Sequence, residues 1–187
     1  MKKFNFFFFT LSLAVLSACG SGGSSNETIT QDSATTSESA LPASLTRGTM
    51  LLNLEDYFMP FSLYVPDSNR GIPNIIETGY GETEIEVGST FHIVVAEGGS
   101  IEDKKAALID DLMFKNEIVS EGPDYLFYKS VIENSHLEPE FHFYAVKHVD
   151  GIDFEFHDYS NEGGYSEKVA QFMLESINHL IANNSAS

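Results

Sequence analysis

"EFHFYAVKHVDGIDFEFHDY", residues 140–159, decides how this chain folds. Apolar and polar residues alternate on both sides of Asp150-Gly151, the period of an extended strand with one covered face. Asp-Gly between two such runs signals a hairpin closed by a two-residue loop. With that loop, Val149 lies opposite Ile152, Lys147 opposite Phe154, Ala145 opposite Phe156 and Phe143 opposite Asp158. Together with Phe141 these residues make a mainly apolar face. The other face pairs His148 with Asp153, Val146 with Glu155, Tyr144 with His157 and His142 with Tyr159. Three of the six histidines thus share one polar surface.

That surface is the candidate metal site. His142 and His148 are too far apart to share an ion, since six residues of strand span about 20 Å. His142 and His157 are diagonal neighbours, about 7–8 Å apart at the backbone. With Glu155 or Tyr144 they approach the three or four ligands of a zinc sphere. His142, Glu155 and His157 are therefore the candidate ligands, and a metal-binding protein or metal-dependent hydrolase is the alternative function. The simpler reading is a solvated sheet face, where cross-strand pairs such as His148 with Asp153 add a few tenths of a kcal/mol. No organic cofactor is implied.

The segments before the hairpin extend the same pattern. Phe61-Ser62-Leu63-Tyr64-Val65 alternates and stops at Pro66-Asp67, a strand ended by a turn. Residues 83–96 alternate twice around Gly88-Ser89, which reads as two strands or one bent strand. Ser100-Ile101-Glu102-Asp103 has the form of a capping box. It opens a helix with Ile101, Leu108, Ile109 and Leu112 near one face. Residues 114–120 and 125–132 flank the turn signal Glu121-Gly122-Pro123-Asp124, a second hairpin. Its second strand is apolar on both faces, as expected of a strand covered on both sides. Beyond Ser166, a candidate N-cap, Val169, Phe172, Met173, Ile177, Leu180 and Ile181 recur at helical spacing and mark a core-facing stripe. The expected fold class is α+β, an antiparallel sheet flanked by helices on both faces.

The chain starts differently. Lys2-Lys3 precede an apolar run from Phe4 to Leu16, the charged and hydrophobic parts of a secretory signal. The run is short of the roughly 20 residues that a spanning helix needs. Leu16-Ser17-Ala18-Cys19 follows and contains the one cysteine of the chain. These residues resemble the lipobox of bacterial lipoproteins, which implies that Cys19 is acylated and becomes the mature N-terminus. Stable anchoring takes more than one acyl chain, at about 0.8 kcal/mol for each buried CH₂. A lipidated Cys19 leaves no thiol for a disulfide or a zinc site. Gly20, in place of aspartate, resembles lipoproteins sent to the outer membrane, so the expected location is the cell envelope, facing the periplasm.

The expected organisation is a signal at residues 1–18, a lipidated cysteine and a Ser/Gly/Thr-rich tether at 19–45, one domain at 46–182 and a tail at 183–187. Such a tether spans about 25–30 Å as a random coil. Asp32-Ser33-Ala34 within it resembles a short bacterial O-glycosylation motif. Loss of the signal removes two lysines and no acid, which leaves eight basic against 28 acidic residues and a formal charge of −20. That balance repels phosphate backbones and anionic headgroups, and argues against nucleic acid as a partner.

No G-x-S-x-G, H-E-x-x-H, Walker loop or EF-hand loop occurs. Gly98-Gly99-Ser100 at a helix start could hold an anion, although Glu102 and Asp103 already place negative charge there. Glu82, Glu84 and Glu86 alternate like the wet side of an edge strand, and Ser135-His136 has no evident acid to complete a triad. From Asn53 to Ile181 the order of elements resembles the PsbP, DcrB and Mog1-like family: a first strand ending in proline (Phe61 to Pro66), an antiparallel sheet with an inserted helix, and a final helix. The resemblance implies an α/β/α sandwich and largely non-enzymatic accessory or binding roles. The chain lacks the tryptophan that many members carry after the proline. The functional expectation is a lipid-anchored binding or accessory module of the envelope. Its partners would be the membrane, through Cys19, and an envelope protein.

Overall fold

The computed structural model describes residues 41–160 and 164–183. The elements run α1 (Ala43–Thr46), β1 (Thr49–Asn53), β2 (Phe61–Pro66), β3 (Pro73–Glu77), β4 (Glu82–Val87), β5 (Phe91–Glu97) and α2 (Ile101–Ile109). They continue with β6 (Lys115–Gly122), β7 (Tyr125–Val131), β8 (Glu140–Val149), β9 (Ile152–Asp158), α3 (Glu167–Asn178) and β10 (Ile181–Ala182). A seven-stranded sheet has the order β3-β4-β5-β9-β8-β7-β6, a three-stranded sheet the order β1-β2-β10, and every pairing is antiparallel.

The hairpin at residues 140–159 forms as its sequence demands. Asp150 and Gly151 both take positive φ, 50° and 86°, the geometry that a two-residue loop needs to follow the strand twist. The six backbone pairs from Val149↔Ile152 to Tyr144↔His157 have the expected register. The ladder stops one pair short of Phe143 and Asp158. There the Asp158 carboxylate accepts the Phe143 N–H at 2.9 Å, in place of a backbone rung.

The apolar face of the large sheet carries Ile85, Val87, Phe91, Ile93, Val95, Phe127, Phe143, Ala145, Phe154 and Phe156, all buried. Its cover is mixed. Met173, Leu174 and Ile177 of α3 pack on it beside Phe61, Leu63 and Val65 of β2. Phe61 meets Phe154 edge to face at 5.1 Å, and burying such rings dominates the stability of a core this size. On the opposite face Leu126, Tyr128 and Tyr144 form a smaller cluster with Ile101 and Leu108 of α2.

The fold is thus mixed α+β on two antiparallel sheets, and richer in sheet than the helix-flanked arrangement expected from the sequence. Half of one cover is a sheet, and α2 buries none of its own residues fully. Ser100 caps α2 by accepting the Asp103 N–H at 3.1 Å, the forward half of a capping box, while the Ser100 N–H donates to the Tyr144 hydroxyl and not back to Asp103. The helix ends at Ile109, however, so Leu112 lies beyond it, and both side chains are exposed. Likewise α3 ends at Asn178, and Ile181 pairs with Ser62 of β2 instead of continuing the helical stripe. Strand β4 is not an edge strand, because β3 pairs along its outer side and begins with a proline, a residue edges tolerate. The folded region also starts earlier than residue 46: Leu45 of α1 is buried at 2% exposure, and the Ser44 hydroxyl donates to the Glu175 carboxylate of α3. Among the described residues no helix is long and apolar enough to cross a membrane. Cys19, the signal and Ser33 lie outside the described residues.

Candidate functional site

His142, Glu155 and His157 each serve a local bond. His142 Nδ1 lies 2.7 Å from Asp158 Oδ2, and its ring stacks on Tyr128 with centroids 5.2 Å apart. Glu155 accepts the Tyr144 hydroxyl at 2.6 Å. His157 Nδ1 lies 2.9 Å from the Asp158 carbonyl. Glu155 pairs with Val146, four residues along β8 from His142, so strand geometry separates the two by about 13 Å. Among the described residues no group of three or more His, Cys, Asp or Glu side chains is placed to hold a metal ion.

The glycines before α2 serve the backbone turn, and Gly99 also a close contact. Gly98 and Gly99 have φ of 105° and 101°, and a Cβ on Gly99 would stand 2.6 Å from Cβ of Glu155 and 2.8 Å from the Tyr144 hydroxyl. The Ser100 N–H donates to that hydroxyl at 3.1 Å, and the hydroxyl donates to Glu155. A tyrosine therefore occupies the place at this helix start where an anion would sit. Burial, and next its bond to Glu155, push the Tyr144 phenol above its ordinary pKa. Burial does the same to Tyr128, aided by the negative charges of Asp158 and Asp111. Lys104 stands over both rings, 5.6 Å and 5.5 Å from their centroids.

Glu84 reaches across to His92 at 3.2 Å, and His92 stacks on Tyr159 at 4.0 Å. Glu86 faces the Asn74 amide at 3.5 Å. Two of the three carboxylates of β4, Glu84 and Glu86, are thus spent on cross-strand neighbours. Ser135 accepts the Leu137 N–H at 3.4 Å, and His136 is exposed beside it.

A groove on the other side of the molecule has the features of a binding site. It encloses about 510 Å³ between α1, the turn after β2 and the first turns of α3. Arg47, Arg70 and Lys168 line it, and Arg47 and Arg70 are the two arginines of the chain. Lys105, Lys115, Lys129 and Lys147 each hold a carboxylate elsewhere, on Glu121, Glu133, Glu117 and Asp124. Arg47, Arg70 and Lys168 pair with no carboxylate among the described residues. Pro66, Val169 and Phe172 give the groove an apolar wall, and Glu175 is its one acid.

Backbone close to the groove holds Arg70 in place. The Arg70 N–H donates to the Asp67 carbonyl at 2.9 Å, and Asp67 Oδ1 accepts the Asn69 N–H at 3.1 Å, an Asx turn. The Asp67 N–H donates to Gly48 at 3.0 Å, which ties that turn to the residue after Arg47. On the far side Gly71 meets the β4–β5 turn so closely that a Cβ on it would stand 2.4 Å from the Gly88 nitrogen. The site leaves little trace in the sequence because its cations lie on three separated segments with no shared period. One compositional signal was present: two arginines in a chain with 28 acids.

No protein-family model matches the chain, and no curated protein matches it.

Proposed function

We propose that this protein is a lipid-anchored, non-enzymatic module of the cell envelope that binds an anionic ligand in the Arg47, Arg70 and Lys168 groove. One observation carries the binding role. In a domain where acids far outnumber bases, three of the four cations that pair with no described carboxylate line one concave site with an apolar wall, and the fourth, Lys104, stands over the Tyr128 and Tyr144 rings. All three side chains are exposed, so their charges are open to a ligand that enters the groove, and binding is the economical account of their grouping beside an apolar wall. Anchoring rests on Leu16-Ser17-Ala18-Cys19 behind an apolar run, and outer-membrane sorting on Gly20. A helix-flanked sandwich like that of the PsbP, DcrB and Mog1-like family belongs to this reading as its architectural part.

The test joins the two halves. Mass spectrometry of the natural product should find acyl chains on Cys19, and Cys19→Ala should move the protein from the membrane fraction to the soluble one. Ligand capture from solubilised envelopes should be lost in the double variant Arg47→Glu/Arg70→Glu. A bare thiol on a water-soluble product overturns the anchoring, and undiminished capture by the double variant overturns the site.

A further inference from the structure

We infer that the ligand of the groove is an organic phosphate monoester, a dianionic head on an apolar body. The inference rests on the binding role proposed above and adds the chemistry of the ligand. Three cations against the single carboxylate of Glu175 leave the lining with a net charge near +2, which a dianion neutralises and a monocarboxylate does not. Guanidinium forks match the oxygens of phosphate in pairs, and three terminal oxygens can be shared among two forks and an ammonium. Arg70 is preset for this role: a Cβ on Gly48 would lie 3.3 Å from its Nη2, so the guanidinium rests against the backbone next to Arg47. Lys168 stands in the first turn of α3, the positively polarised end of a twelve-residue helix.

The body of the ligand follows from the rest of the lining. About 510 Å³ exceeds what a bare phosphate fills and lies within the range of about 300–1,000 Å³ typical of organic ligands. Pro66, Val169 and Phe172 supply an apolar wall for the non-phosphate part. The long-range field of the acidic domain repels anions, so only a ligand that meets all three cations at close range gains from the site. A soluble phosphate ester and the headgroup of a phosphatidic acid share this chemistry.

The experiment is a ³¹P NMR titration of the natural full-length product in neutral detergent. The probes are 1-naphthyl phosphate, short-chain phosphatidic acid and inorganic phosphate, and 1-naphthol is followed by fluorescence as the uncharged control. At least one of the two esters should bind, and the tighter one identifies the source. Inorganic phosphate and 1-naphthol should bind at least tenfold more weakly. Arg70→Ala and Arg47→Ala should each weaken the ester about 10- to 100-fold, the cost of a charged hydrogen-bonded contact, with unchanged thermal midpoints because both side chains are exposed. A flat titration, equal binding of 1-naphthol, or undiminished binding by both variants overturns the inference. A flat titration with capture from envelopes intact would leave the binding module standing with a different ligand. Ester binding by a product with a bare thiol would leave this inference standing and remove the anchor.

Discussion

Asp158 replaces a rung of the sheet with its side chain. Its carboxylate takes both the Phe143 N–H and His142 Nδ1 at 5% side-chain exposure. Asp158→Ala would leave a buried N–H without a partner, so it should cost about 2–4 kcal/mol in urea unfolding. Asp158→Asn keeps an acceptor for Phe143 and should cost clearly less. Tyr128 gives a pH-dependent counterpart. Its phenol has a folded-state pKa raised above the ordinary value of 10.0, so folding favours the protonated form. The resulting stability is fully present below about pH 10 and is lost as pH rises beyond it. Unfolding curves at pH 8 and pH 11 should show that alkaline loss in the parent and a smaller one in Tyr128→Phe.

The turn between β4 and β5 links stability to the groove. Gly88 has φ of 63°, and a Cβ on it would stand 2.3 Å from the Arg70 carbonyl. Gly88→Ala should therefore cost about 1–3 kcal/mol and also weaken ester binding, because it displaces the Arg70 backbone. Gly81 has φ of 84° with open space around it. Gly81→Ala should be destabilised by about 1–2 kcal/mol from strain alone and bind the ester normally. Thermal midpoints and ³¹P titrations on the two variants separate the effects. These elements also show what local sequence can convey. The β8–β9 hairpin was legible because Asp150-Gly151 and strict alternation specify turn and register together. Strand β1 was not, since Met50-Leu51-Leu52 is an apolar run without alternation. The two residues of β10 carry no period at all, and Ile181 happens to continue the spacing of α3.

Across the whole molecule, the histidine face and the cationic groove lie on different elements and answer different questions. The sequence brought His142, Glu155 and His157 to one face, and register then spread them along it, because facing the same way is not the same as standing at the same height. Elemental analysis of the purified protein should find no stoichiometric zinc, and His157→Ala should not change metal content. The groove was illegible for the opposite reason. Its residues come from α1, the β2–β3 turn and α3, and only the docking of the small sheet and α3 onto the large one brings them together.

The way the chain enters the domain has a mechanical corollary. Residues N-terminal to Leu41 join the folded part through α1, which Leu45 plugs into the core and Ser44 ties to Glu175. A force applied to the chain at Leu41 reaches this latch before it reaches a strand. Since α1 and α3 are two walls of the groove, the point where the chain enters the domain is also a wall of that groove.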